Sequence, residues 1–346
     1  MPAGWWATSC TEPPALSFLS PFHFQPASFL DAAPAPGSGG GPHYMVILTQ
    51  DLDGFGNHLL LTSHFLVNVA EHRYELAIPS FERYAPFFEG TVRQDFDGLP
   101  VRLQPGPRRF RVFFRALRLR WGGAVAQRAP WLQRLLGVRV LTDHGANDVD
   151  LNSSAYLTAA HTEDLLVHGW QFRDKRHFAQ NGDLLRRIFR PIAAHRRAVE
   201  HVLTANRQAA DVLVGVHIRR GDYAGWHGGA YLYDNATFVR AMQQMQALFP
   251  ATTRVRFLLF SNETIADADF AAFDTGRSTN HAVEDLYAMA GCDYIIGPLS
   301  TYSMWASFYG RVPLCHLHRP DQPIASLREF MVFEDQPSVR WESSLA

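Results

Sequence analysis

The sequence predicts an α/β protein built on doubly wound parallel sheets, and three observations carry that prediction. DVLVGVHI, from Asp211, is an almost continuous apolar run, the pattern of a parallel strand buried on both faces. From there toward the C-terminus, strand-like and helix-like segments alternate, which implies parallel strands joined by helical crossovers. Near the start, MVILTQ, a glycine loop, a long helical pattern and YELAI follow one another, the opening of a βαβ unit.

The elements follow in order. MVILTQ, from Met45, reads as the first strand, and DGFGNHLLL leads into a helix running through Leu66 and Ala70. YELAI is the second strand, with Pro79 in the loop after it. In the second half, NATFVRAMQQMQALFP places Phe238, Met242, Met245 and Leu248 on one helical face, and Pro250 stops it. VRFLLFSN is a strand and VEDLYAMAG a short helix closed by Gly291. DYIIG is a strand, TYSMWASFYG a helix closed by Gly310, and VPLCHL a strand.

With 346 residues, 47% of them hydrophobic, the chain has enough apolar material for about two domains with real cores. The expected organisation is a disordered Pro/Gly-rich leader over 1–44, ending in APAPGSGGGP, then domains at 45–200 and 201–346. Trp5 and Trp6 lie in the leader, and Met45 is a candidate start. Three cysteines, Cys10, Cys292 and Cys315, cannot form a disulfide framework and point to a reducing compartment. No apolar run reaches the roughly 18–20 residues of a membrane span, and no basic region precedes an apolar stretch at the N-terminus. The expected location is cytoplasmic. A net charge of −1 argues against a general nucleic-acid binder. It hides one imbalance: residues 98–142 hold ten arginines, from Arg102 to Arg139, and no acid. That stretch reads either as a solvated face with snorkelling stems or as a peripheral contact with an anionic membrane surface or glycan.

Ligands of open parallel sheets bind beyond the carboxyl ends of the strands. After DVLVGVHI come Arg219, Arg220, Gly221, Asp222 and Tyr223, and arginine forks suit phosphate oxygens bidentately. After DYIIG come Pro298, Leu299, Ser300 and Thr301, entering a helix. Those hydroxyls serve either as an N-cap or, with the free helix N–H groups, as a phosphate cradle. Gly54, Gly56 and Asn57 occupy the matching turn after the first strand. Asp285, on the helix before DYIIG, is either a surface acid or an acceptor for a nucleobase N–H pair. Three D-x-D strings (Asp51/Asp53, Asp148/Asp150, Asp267/Asp269) and the pair His316/His318 carry little weight as metal sites among 33 acids and 16 histidines.

Together these pieces resemble a family. VGVHIRRGDY is similar to the HxRRGDY motif of the α-1,2-fucosyltransferases, whose wider relatives include α-1,6- and protein O-fucosyltransferases. DGFGNHLLL resembles their N-terminal G-x-G-N-Q motif, and EDLYAMAGCDYIIGPLSTYSMWA their segment of acid, helix, strand and Ser-Thr-aromatic-Ser. HGWQFRDKRHF, from His168, looks like the segment between the two main motifs. The resemblance covers roughly residues 45–320.

The resemblance implies two facing Rossmann-like domains (GT-B-like), the first on the acceptor side and the second binding GDP-fucose. It implies inverting transfer without an obligatory metal or other cofactor, from GDP-fucose to an oligosaccharide, at the 2-OH of a terminal galactose. By motif, Arg219 would bind the β-phosphate, helped by Ser300 and Thr301. His217 and Asp285 would recognise guanosine, and Gly54, Gly56 and Asn57 would reach toward the diphosphate. Arg220 and Asp222 would lie near fucose and acceptor. The motifs do not identify the catalytic base: Asp222 is the first candidate, and His227 in the glycine loop GWHGG the second, with that loop a candidate lid. His58 stands where the family has Gln, and Met304 replaces the first of two aromatics. The other readings are a related transferase with another linkage or nucleotide sugar, and a non-catalytic GDP-sugar-binding protein. An adhesion role for Arg220-Gly221-Asp222 is remote.

Overall fold

The computed structural model describes residues 44–50, 52, 54–105, 137–143, 148–208, 210–278 and 281–334. Residues 1–43 of the expected leader, with Trp5, Trp6 and Cys10, the pair Asp51/Asp53, and the eight arginines from Arg108 to Arg134 lie outside the described residues. The other two, Arg102 and Arg139, pair with Glu75 at 3.3 Å and Glu163 at 3.2 Å.

The first part runs β1 (Met45–Leu48), α1 (Phe55–His72), β2 (Glu75–Ala77), α2 (Glu89–Val92), β3 (Val101–Arg102), β4 (Val138–Thr142), β5 (Val149–Asp150), α3 (Ser154–Thr162), β6 (Asp164–His168), β7 (Phe172–Arg173), α4 (Gly182–Ile188) and α5 (Ala193–Arg207). The second part runs β8 (Val212–Ile218), α6 (Asn235–Ala247), β9 (Val255–Ser261), β10 (Thr275–Arg277), α7 (Ala282–Met289), β11 (Tyr294–Pro298), α8 (Thr301–Gly310) and β12 (Leu314–Leu317).

Two five-stranded sheets result, ordered β3-β2-β1-β6-β4 and β10-β9-β8-β11-β12, and every pairing in both is parallel. The sequence prediction of an α/β fold with parallel sheets therefore holds. In each sheet the order reverses beside the first strand, between β1 and β6 and between β8 and β11. Such switch points open a crevice at the strands' carboxyl ends. β1 is buried throughout and β8 nearly so, as strands covered on both faces must be.

Both sheets lie in one compact unit, His43–Ala346, with a continuous apolar core. An aromatic seam joins them: Phe88 packs on Phe189 at 5.4 Å, Phe189 on Trp305 at 5.3 Å, and Phe88 on Tyr287 at 6.2 Å. Met242 and Met245 are fully buried, core residues as their spacing predicts. Gly310 differs from expectation. It is the last residue of α8, and the left-handed cap is Arg311, at φ 57°. A side chain at Gly310 would strike the carbonyl of Ala290, so glycine is needed there for close helix approach rather than for capping.

One buried polar network fixes the register of α1. Asp174 is fully buried and accepts from Asn68 at 2.8 Å, Asn152 at 2.9 Å and the His177 backbone N–H at 2.9 Å. Burial alone would raise its pKa, but the hydrogen bonds from Asn152, Asn68 and His177 outweigh it and hold the carboxyl below its usual range. Its own N–H donates to His64 Nδ1 at 3.1 Å. The RDKRHF string is thus an anchor within the fold.

Candidate active site

β8 delivers His217 to the switch point of the second sheet. Its side chain is buried, and a Cβ on Gly297 of the adjacent strand would stand only 2.9 Å from the His217 Cβ. Glycine at 297 therefore makes room for the imidazole, whose ring lies 5.3 Å from that of Tyr302. Burial, helped by the charge of Arg219 and by His316, pushes the His217 pKa down to about 3. The ring is neutral at physiological pH, and its buried Nδ1 has no hydrogen-bond partner. An unpaired buried polar atom costs free energy unless a ligand satisfies it.

The turn after β8 is held open by its own hydrogen bonds. Gly221 sits at φ +64°, a conformation glycine adopts without penalty. The Arg220 N–H donates to Asn262 Oδ1 at 2.9 Å, and the Asn262 amide returns a bond to the Arg220 carbonyl at 3.2 Å. The Arg220 guanidinium is engaged by Asn235 at the start of α6. Arg219 pairs with Asp222 at 2.9 Å, and its guanidinium stands 5.7 Å from the Tyr223 ring. Tyr223 donates to the Leu299 carbonyl at 2.6 Å, tying this turn to the loop that enters α8.

There the two parts of the molecule meet. A Cβ on Gly56 would lie 2.6 Å from the Tyr302 nitrogen and 2.8 Å from Thr301 Oγ1. The Thr301 hydroxyl donates to Asn57 Oδ1 at 2.7 Å. Gly56 and Asn57 thus seat the N-terminus of α1 against that of α8. Neither helix carries an acid in its first turn, and Gly54, at φ 90°, offers α1 no side-chain cap. Two helix N-termini with positive poles together, beside Arg219, form a site for an anion. Ser300 caps α8 by accepting from the Tyr302 N–H at 3.3 Å.

Asp285 is buried on the first turn of α7, and its charge acts on Tyr302, which places it on the His217 side of the site. His227 lies on the surface of the GWHGG loop at φ 46°, edge-on to Trp226 at 4.5 Å. Trp226 in turn packs on Tyr223 at 4.8 Å and Tyr231 at 5.2 Å, which ties that loop to the turn after β8.

The departures from the motif have structural roles. His58 is buried, and its Nε2 accepts from the Leu52 N–H at 3.1 Å and from Arg83 at 3.0 Å. It pins the loop before α1. Met304 is wholly buried in the core. The D-x-D acids within the described residues are engaged by the protein. Asp148 pairs with Lys175 at 2.5 Å, Asp150 accepts from Asn152 at 2.8 Å, Asp267 pairs with Arg277, and Asp269 accepts from Asn235. His316 is half-buried, while His318 is exposed.

A second cluster takes four residues from the start of the HGWQFRDKRHF segment and joins them to three that the sequence does not single out. At the carboxyl ends of β1, β4 and β6, Gln50, Thr142, Asp143, His168, Trp170 and Gln171 line a cavity of about 370 Å³. The Asp143 carboxylate accepts from the backbone N–H groups of Trp170 and Gln171, the latter at 2.6 Å. Gly169, at φ +143°, lets it approach, since a Cβ there would lie 2.5 Å from that carboxylate. The Arg173 guanidinium covers the Trp170 ring at 4.3 Å. Burial lowers the His168 pKa, and Asp143 partly restores it. Asp143 and His168 are far apart in sequence and come together only because β4 and β6 pair. A larger cavity of about 790 Å³ runs along α5 near Pro191, Leu203 and Tyr309, away from both sets of strand ends.

Residues 159–326 match the family model described as Glycosyl transferase family 11. No curated protein matches the chain by sequence. A GDP complex of a point mutant of Arabidopsis thaliana FUT1 has a similar fold, with TM-score 0.55 and 11% identity over 84% of this chain and 74% of that one. Fucosyltransferase NodZ from Bradyrhizobium gives a TM-score of 0.52 and 16% identity over 81% and 96%. NodZ α-1,6-fucosyltransferase soaked with GDP-fucose gives 0.50 and 15% over 79% and 95%. The family match and these folds agree with the resemblance carried by HIRRGDY, whereas the glycine motif at 54–57 lies outside the matched residues.

Proposed function

From the family 11 match over residues 159–326, we propose that this chain transfers L-fucose from GDP-fucose to a glycan hydroxyl with inversion, at the 2-OH of a terminal galactose. The observation that carries the reading is the convergence of Arg219 with two acid-free helix N-termini at the switch point of the second sheet. As the sugar–phosphate bond breaks, GDP gains negative charge. Fixed cations and N–H groups then stabilise the transition state more than the ground state. Arg219 and the first turn of α8, at Ser300 and Thr301, hold the diphosphate. His217 and Asp285 face the guanine, where the unpaired His217 Nδ1 finds its partner. Gly54, Gly56 and Asn57 position α1 so that its N-terminus closes the anion site.

The acceptor belongs in the cavity beneath His168. A neutral imidazole at the end of β6, in the same cavity as Asp143, is a general base for an acceptor hydroxyl. It joins Asp222 and His227 as a candidate. The hydroxyl oxygen attacks the fucose anomeric carbon, its proton passes to the base, and GDP departs with the bonding pair. Because Arg219 and the helix poles supply the positive charge, the reaction needs no metal, and activity persists in EDTA. The named α-1,6 linkage of NodZ favours a second reading, transfer to a different hydroxyl.

The test incubates the purified chain with GDP-fucose, in EDTA, against acceptors ending in galactose or N-acetylglucosamine, with product linkage read by NMR. Calorimetry with GDP, GDP-mannose and UDP runs beside it. GDP binding selective over UDP, with fucose on a galactose 2-OH, is expected. A product on a 6-OH moves the proposal to the second reading. GDP binding without turnover on any acceptor supports a non-catalytic GDP-sugar-binding protein, and equal binding of UDP overturns the donor assignment.

A further inference from the structure

Away from the strand ends, three metal-ligating groups gather between α5 and α7. His195 Nδ1 lies 2.9 Å from Glu284 Oε1. The His195 and His281 rings face each other at 4.7 Å and 28°. One ligand atom from each of the three residues falls within 4.8 Å of the others. The Nδ1 of His281 is buried and has no hydrogen-bond partner. Phe87 closes one side, edge-on to His195 at 5.6 Å and to His281 at 5.9 Å. His281 and Glu284 are three residues apart at the start of α7 and share one face. Asp285, the next residue, turns toward Tyr302, so the proposed donor chemistry uses none of these three groups.

Two imidazoles and one carboxylate are a donor set for a borderline divalent cation, whereas Mg²⁺ and Ca²⁺ prefer shells of oxygen. We propose that His195, His281 and Glu284 form a site for one Zn²⁺ ion that braces α5 against α7. The ion draws the ligand atoms in to roughly 3.3 Å from one another, as tetrahedral zinc requires, and leaves a fourth position for water. Because α7 carries Asp285, the brace also stiffens the helix from which the nucleotide is read. The role is structural, and it does not depend on the proposed transferase reaction.

The test strips the untagged chain with chelator and titrates Zn²⁺ by calorimetry, with thermal unfolding alongside and Co²⁺ as an optical probe. One equivalent of zinc binds, the unfolding midpoint rises by several degrees, Co²⁺ develops visible ligand-field bands, and millimolar Mg²⁺ does neither. His281→Ala and Glu284→Gln each weaken zinc binding at least tenfold, while the metal-free variants keep the circular dichroism spectrum of the metal-free wild-type chain, which shows that they are folded. Absence of a zinc equivalent in the wild-type chain overturns the site. So does a titration that neither substitution alters, since the ion would then sit on some of the other fourteen of the chain's 16 histidines.

Discussion

The two sheets share a strand logic, yet their carboxyl ends are built differently. The end of β8 and the entry to α8 form a cationic, tightly packed site, with Arg219, two helix N-termini and a buried neutral His217. The ends of β4 and β6 form a polar cavity of about 370 Å³, lined by His168, Trp170 and an Asp143 carboxylate that backbone N–H groups hold. Fixed charge gathered in one contiguous motif suits an anion, whereas a polar cavity assembled from scattered loops suits an uncharged polar group.

Five measurements follow from that contrast, beginning with the largest effect. If the β6 cavity holds the base, His168→Asn lowers kcat by about 10²-fold or more and leaves GDP affinity unchanged in calorimetry; an unaltered kcat returns the role to Asp222 or His227. Arg219→Ala removes a charge-assisted phosphate contact of about 1.5–3 kcal/mol, so GDP binding falls roughly tenfold to a hundredfold. Undiminished affinity would remove the donor half of the comparison. Gly56→Ala sets a methyl against the Tyr302 backbone at 2.6 Å and costs about 1–3 kcal/mol as overpacking. It is expected to lower both the unfolding midpoint and GDP affinity, since the helix N-termini part.

The smallest effects are read against pH. Burial and its neighbours hold His217 and His316 at about 3 in the folded chain, while the unfolded chain titrates them near 6.5. Between those values the unfolded state binds the extra protons. Stability is therefore full above about 6.5 and is lost as pH falls toward 3, by about 1.4 kcal/mol per pH unit for each proton. His316→Gln should flatten the fall in unfolding midpoint between pH 7 and pH 5. At the other site, Asp143 raises a His168 pKa that burial depresses. Asp143→Asn is expected to shift the acidic limb of the kcat profile to lower pH, and a limb that stays in place separates His168 from catalysis.

The α/β class, four of the five strands of the second sheet and the polar turns HIRRGDY and PLSTYS at two strand ends are legible in the sequence alone, whereas β10 is not. These are local patterns: a strand buried on both faces must be apolar along its length, and a phosphate site at its end must be polar and adjacent. Tertiary structure alone decided the rest. Gly56 reads as a loop glycine until α8 is seen 2.6 Å from where its side chain would be. Gly310 reads as a cap until the Ala290 carbonyl is found against it. His58, an apparent defect in a motif, fastens Leu52 and Arg83. Asp143 with His168, and His195 with His281 and Glu284, become clusters only when strands pair and helices cross. Residues distant in sequence leave no periodic trace of sharing one point in space, because periodicity records only what a segment does with its own neighbours.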